Sequence, residues 1–324
     1  EIVTEPDFRS VEQVQDFVEK IALRLKYAGV CDAKMEQGSL RVDVNISLMP
    51  YGSNEFGTRA ELKNLNSVKS IERAINYEIQ RQSDILDKGG KVIQETRRYN
   101  ENHDDTKALR SKEEAHDYRY FPEPDIPPVY ITDAELAEIK AEIPELPHSR
   151  YKRYTEDYKL TPDEAELIIS SKEFSDFYDA AIKSYNNYKQ ISNMMLVEVN
   201  HLLNDSGLTI SDVRFTPDEI AELVKLSEES VISKKSAKDI LAIMFKDGGK
   251  PEEIAKAHGF IMDNDASGLD EIIDKVLSEN ADSVERYKAG NQKLFGFLMG
   301  QVLKEAGKSA NPKIVKDILT KKIS

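Results

Sequence analysis

Residues 35–48 read MEQGSLRVDVNISL. Leu40, Val42, Val44, Ile46 and Leu48 alternate with Arg41, Asp43, Asn45 and Ser47, the period-two pattern of a strand with one apolar and one polar face. A turn cluster, PYGSNEFG (50–57), precedes TRAELKN (58–64), in which Arg59, Glu61 and Lys63 share one face and Ala60 and Leu62 the other. The pattern predicts a β-hairpin whose polar surface joins Arg41, Asp43, Asn45, Arg59, Glu61 and Lys63. On the residues alone, two readings of that surface stay open. It can be a salt-bridge ladder on a solvated face. It can also be a site in which carboxylates and an amide take Mg²⁺ while Arg and Lys take phosphate oxygens.

Working outward, Ser10-Val11-Glu12-Gln13 is a capping box, and apolar residues from Val11 to Leu25 recur at helical spacing up to a C-capping Gly29. Asn66 or Ser67 opens a long helix to about Leu86, stopped by Gly89-Gly90. Strand-like runs KVIQETRRY (91–99) and TKALRSK (106–112) follow across the loop NENHDD. Glu95 and Arg97 share one face, Arg110 and Lys112 another. Short turns between strands predict an antiparallel sheet in an α+β domain. Four prolines in FPEPDIPPVY (121–130) and two in IPELPHS (143–149) mark a boundary, after which the pattern is nearly all helical. TPDEAELIISS and TPDEIAELV share a start signal: Thr161 or Thr216 as N-cap, Pro next, acids in the first turn. KDGGKPEEIAKAHGF (246–260) breaks the helical half again. The expected divisions are 1–144, 145–250 and 251–324.

The composition is that of a globular protein, with 40% hydrophobic and 32% charged residues in 324. No apolar run has the length needed to span a bilayer, so no membrane role is expected. No signal segment opens the chain, and the lone Cys31 excludes an intrachain disulfide framework; both point to a cytoplasmic protein. The first residues, EIVTEPD, read as a strand, and a start without Met suggests a fragment lacking its beginning. Net charge is −14, which argues against a surface that grips nucleic acid everywhere. From Arg286 to Ser324, however, nine basic residues face only Glu305 and Asp317, giving +7 there and −21 elsewhere. Either an anionic partner is held at that end or the helices there are merely well solvated. Within KLFGFLMGQVLKEAGKSANP (293–312), Gly296 and Gly300 lie four apart in a helical pattern. Each costs about 1 kcal/mol against Ala, so a close neighbour is expected, either another helix or a phosphate backbone. Lys293, Lys304 and Lys308 surround them and favour RNA.

No Ser-His-Asp order, Walker loop or glycine-rich dinucleotide turn is present. His116 reads as a structural hydrogen-bonder, and Tyr118 and Tyr120 as core or interface residues. Taken together, EIVTEPD, KMEQGSLRVDVNISL, FGTRAELKNLNS, QETRR, RSKEEAHDYRYFPEPDIPP, IPELP and GFLMGQVLKEAGKSANP resemble the GatB family, the B subunits of tRNA-dependent amidotransferases. These stretches run in order along almost the whole chain; none is diagnostic alone, and the set is specific.

The resemblance implies an α+β catalytic cradle, an all-α helical domain and a small all-α YqeY-like tail that contacts tRNA. It implies an ATP- and Mg²⁺-dependent ligase subunit that phosphorylates the side-chain carboxylate of Glu-tRNA(Gln) or Asp-tRNA(Asn). Ammonia released from glutamine by an amidase-type A subunit then displaces the phosphate, and a small C subunit completes the complex. By motif, Glu1, Asp43 and Glu61 would hold the metal, and Glu36 and Asn45 would line the pocket with catalytic Asp43 and Lys63. On their charge rather than by the family motif, Arg41, Arg59 and Lys63 would meet ATP phosphates; Lys293, Gly296, Gly300, Lys304 and Lys308 would meet tRNA. A His and further glutamates of the family site would lie before residue 1. Some relatives carry a cysteine-based zinc site; with Cys31 alone, no zinc is expected. The competing reading, from the basic tail, is a tRNA-binding adaptor without catalysis.

Overall fold

The computed structural model describes residues 1–111, 121–262, 266–306 and 310–323. It divides into two compact units, Glu1–Arg150 and Tyr151–Ser324.

In the first unit the hairpin forms as the alternation predicts, but shorter: β1 is Val42–Ile46 and β2 is Ala60–Leu65. Val44 lies opposite Leu62 and Asn45 opposite Glu61, and the register slips between Val42 and Val44. The extra residue is on β2, where Asn64 takes a left-handed φ of 69°. Asn tolerates that conformation better than a branched residue does, and its Nδ2 donates to Tyr99 O at 3.1 Å. The bulge returns Leu65 to the buried face, which strict alternation would have given to Asn64.

Two helices cover that face. α1 (Val11–Tyr27) is capped by Ser10 Oγ, which accepts from Gln13 N at 3.3 Å. The Gln13 side chain reaches back to Arg9 N at 2.7 Å rather than to Ser10. α2 (Val68–Asp87) is capped by Ser67 and links β2 to β3 (Glu95–Asn100). A helix of this length carries the chain back along the sheet, so β2 and β3 pair in parallel. The sheet, ordered β1-β2-β3-β4 with β4 at Asp105–Ser111, is therefore mixed, and the expected all-antiparallel pairing is corrected at its centre. Val18, Leu62, Leu65, Ile71, Ala74, Ile75 and Tyr99 form the core between sheet and helices. The opening EIVTEPD is not a strand; these residues have no regular structure, and Ile2 and Val3 are exposed. α3 (Asp133–Glu142) starts at a capping box on Thr132 and buries none of its residues.

The second unit is helical and holds two hydrophobic cores. After α4 (Pro147–Lys152), within which the division between the units falls, the first core runs from Tyr154 to Ala255 and is built on α5 (Pro162–Ile169), α6 (Lys172–Ser184), α7 (Tyr188–Asn193), α8 (Asn200–Ser206), α9 (Pro217–Glu228), α10 (Lys234–Asp247) and α11 (Pro251–Ala257). Thr161 and Thr216 both cap as predicted, each in a reciprocal box with the Glu three residues on. Gly248 and Gly249 make a turn at φ 76° and 107°, but Ile254 and Ala255 after it still belong to this core. The break between cores thus lies after Ile261, later than the expected 251. The last core joins α12 (Ala266–Glu279), α13 (Ala281–Lys288), α14 (Lys293–Ala306) and α15 (Pro312–Ile323) around Ile273, Leu298, Val302, Val315 and Leu319. Among the described residues, no helix is long and apolar enough to cross a membrane.

Candidate active site

The face of the sheet away from α2 carries four of the six predicted polar residues, Asp43, Asn45, Glu61 and Lys63. Lys63 Nζ lies 2.5 Å from Asp43 Oδ2 and 3.2 Å from Glu61 Oε1, so one ammonium bridges carboxylates from two strands. The hydrogen bond to Asp43 raises the Lys63 pKa above the ordinary lysine value; the contact with Glu61 adds to this and partial burial opposes it. Asn45 is the register partner of Glu61. On β3, Glu61 pairs with Thr96 and Lys63 with Arg98, and Arg98 in turn faces Lys107 on β4.

Thr96 is buried and donates from Oγ1 to Glu61 Oε2 at 2.8 Å. Arg98 and Lys107 are exposed and have no carboxylate partner among the described residues. Like charges on adjacent strands repel, so the Arg98–Lys107 pair is a positive patch that an anion would relieve, whereas Lys63 beside Arg98 is already compensated by Asp43 and Glu61. Neither Thr96 nor this patch beside Lys63 was reached from sequence, because both depend on the parallel β2–β3 register between strands separated by a helix.

Other expected site residues lie elsewhere. Arg41 is exposed before β1, its guanidinium 3.8 Å from the position a Cβ on Gly38 would take. Glu36 is exposed in the turn over 35–38, and Arg59 is exposed one residue before β2. Glu1, in the irregular opening residues, makes no polar contact with Asp43 or Glu61. Among the described residues no three His, Cys, Asp or Glu side chains group as a metal centre. The expected trio Glu1, Asp43 and Glu61 is therefore not assembled: Lys63 lies against both carboxylates, and Glu1 contacts neither. The donor chemistry still fits Mg²⁺, which binds through one or two carboxylates and takes its remaining ligands from phosphates and water.

Glu95 and Arg97 point the other way, towards α2. There Glu78, fully buried, takes Arg81 Nη2 at 2.6 Å and lies 3.5 Å from Arg97 Nε. Arg97 also pairs with Glu95 and donates to Thr106 Oγ1 at 2.8 Å. This network ties α2 to the sheet behind the polar face. His116, Tyr118, Tyr120 and Lys112 lie outside the described residues, as does the side chain of Arg110.

In the last core, Lys293 and Lys304 are on α14, while Lys308 lies outside the described residues. Gly296 and Gly300 are exposed, and a Cβ on either would meet nothing within 4 Å. Of the two expected neighbours, a close-packed helix is thus absent among the described residues.

Residues 1–137 match the family model of the GatB/GatE catalytic domain and residues 176–323 that of the GatB domain. Curated relatives align along the whole chain. The chain is 44% identical over 324 residues to a protein of Carboxydothermus hydrogenoformans named as the B subunit of aspartyl/glutamyl-tRNA(Asn/Gln) amidotransferase, covering 100% of this chain and 67% of that one. Proteins of the same name from Caldicellulosiruptor saccharolyticus and Nitratidesulfovibrio vulgaris are 45% and 42% identical, again over 100% of this chain and 68% of theirs. With similarity of this extent covering both the sheet domain and the helical cores, the chain belongs to the GatB family of tRNA-dependent amidotransferase B subunits.

Proposed function

We propose that this chain is the carboxylate-activating subunit of an aspartyl/glutamyl-tRNA amidotransferase. It would act in the cytoplasm with an amidase-type A subunit and a small C subunit on Glu-tRNA(Gln), Asp-tRNA(Asn) or both. The observation that carries this is the Asp43–Lys63–Glu61 cluster on the sheet face away from α2, within the part that matches the family's catalytic domain.

A side-chain carboxylate is a poor acyl donor until one of its oxygens can leave as phosphate. ATP with Mg²⁺, when bound, supplies that phosphoryl group and neutralises its charge. Asp43 and Glu61 would hold the cation. Lys63 would turn its ammonium to the phosphate oxygens, and Arg98 and Lys107 would form the positive patch that draws the phosphate chain to the face. Arg41, before β1, and Arg59, before β2, are exposed at opposite ends of the hairpin and would be further phosphate contacts, with Glu36 and Asn45 as the remaining expected pocket residues. Ammonia then attacks the activated carbonyl carbon, phosphate departs, and the amide stays on the tRNA. Lys293, Gly296, Gly300 and Lys304 on α14, with Lys308, would seat the tRNA.

The test is amide formation on misacylated tRNA by the complete complex, with ammonia and ATP supplied. Asp43→Ala and Glu61→Ala should each abolish it without loss of tRNA binding. Unchanged amide formation in both would overturn the assignment of the site to these residues.

A further inference from the structure

We propose that Thr96 is a positioning residue for the Glu61 carboxylate, an inference that rests on the reading of the sheet face as the active site. Thr96 is 1% exposed, and its hydroxyl has one proton to give. It gives that proton to Glu61 Oε2 at 2.8 Å, from the register position beside Glu61 on the neighbouring parallel strand. With Oε2 held, Oε1 is the oxygen that faces Lys63 Nζ at 3.2 Å, and Lys63 in turn reaches Asp43 at 2.5 Å. Four side chains on three strands thus form one line, with a buried hydroxyl at one end.

Packing does not require a hydroxyl at this position. Valine has nearly the same shape and is at home in a strand, so a residue serving the core alone need not carry oxygen. A buried hydroxyl without its acceptor is costly, which favours keeping the Thr96–Glu61 bond and so restrains Oε2 of the carboxylate. Glu61 is only 16% exposed in its side chain, so water competes weakly for Oε2. Thr96 touches no reacting group; it acts through Glu61.

Three variants in the complete amidotransferase decide this: Thr96→Val, Thr96→Ser and Glu61→Gln. Thr96→Val should lower kcat about tenfold or more, the equivalent of one charge-assisted hydrogen bond, with KM for misacylated tRNA within about twofold. Binding of Mn²⁺ with a non-hydrolysable ATP analogue, followed by electron paramagnetic resonance, should weaken several-fold in the same variant. Its Tm should stay within about 2 °C of wild type, given the strand preference of valine. Thr96→Ser should restore most of both readouts. An unchanged kcat or Mn²⁺ affinity in Thr96→Val overturns the inference, as does a Tm fall that accounts for the loss or a failure of Ser to rescue. Glu61→Gln with wild-type activity would instead remove the active-site reading on which it stands.

Discussion

At the residue scale, the polar face is organised by charge. Lys63 joins the carboxylates of Asp43 on β1 and Glu61 on β2. Its raised pKa sets the sign of a pH effect. A lysine whose folded pKa lies above its unfolded value contributes stability that is fully present below the unfolded value, 10.5, and is lost as pH rises through the folded one. The pair is about one-third to one-half exposed, so the contribution is that of a screened surface bridge, roughly 0.5 kcal/mol. The stability difference between wild type and Lys63→Met, followed by chemical denaturation, should be flat from neutral pH to about pH 10 and shrink above it. A difference that grew above that pH would contradict the assignment. The alternation in VDVNI and AELKN made this cluster legible in the sequence: residues two apart on each strand could only share a face. It could not reveal Thr96, whose partner lies 35 residues away across a parallel pair.

At the scale of elements, α2 does two things. It turns the β2–β3 pair parallel, and through Glu78 it anchors the back of the sheet. A buried carboxylate between two arginines contributes little net stability as a pair, yet removing one partner leaves the others charged and poorly solvated. Glu78→Ala should therefore destabilise the first unit by about 3 kcal/mol or more, whereas Glu72→Ala, on the exposed side of α2, should change it by less than about 0.5 kcal/mol. Equilibrium urea unfolding of both variants is the measurement, and equal effects would remove Glu78 from the anchoring role. The bulge offers a second contrast. Asn64→Gly should be tolerated at its φ of 69°, while Asn64→Val should cost about 1–3 kcal/mol, because a branched side chain clashes in that conformation. Local signals of this kind, the caps at Thr161 and Thr216 among them, are legible because they act within a few residues. The parallel pairing and the late break between the helical cores are not, because both are decided by contacts far apart in sequence. EIVTEPD shows the same limit from the other side: it has strand propensity but no partner strand among the described residues, and it is irregular.

At the scale of the whole molecule, charge is divided between an acidic body and a basic end, −21 against +7 of the −14 total. Part of the basic excess is spoken for: Lys322 pairs with Asp270 and Asp274 at 2.9 and 2.6 Å, and Arg286 lies 3.7 Å from Asp282. Lys293, Lys304, Lys313, Lys316 and Lys321 have no ion pair among the described residues. A phosphate backbone docked on them would release counterions, so its affinity must fall with salt in proportion to the phosphates neutralised. Lys293→Glu and Lys304→Glu together should weaken tRNA binding by the complete complex and lower the slope of log affinity against log salt by about 1 to 2. The double variant should leave ATP-dependent chemistry at saturating tRNA close to wild type, because α14 and the Asp43–Lys63–Glu61 face belong to different compact units. Gly296→Ala and Gly300→Ala separate charge from fit. Each is free of internal contacts and gains helix propensity of about 1 kcal/mol, so both should raise the stability of the last core. If a backbone lies against α14, they should nonetheless weaken tRNA binding while leaving its salt slope unchanged. Filter binding across a salt series reads both quantities, and tRNA affinity indifferent to all four substitutions would place the nucleic acid on another surface.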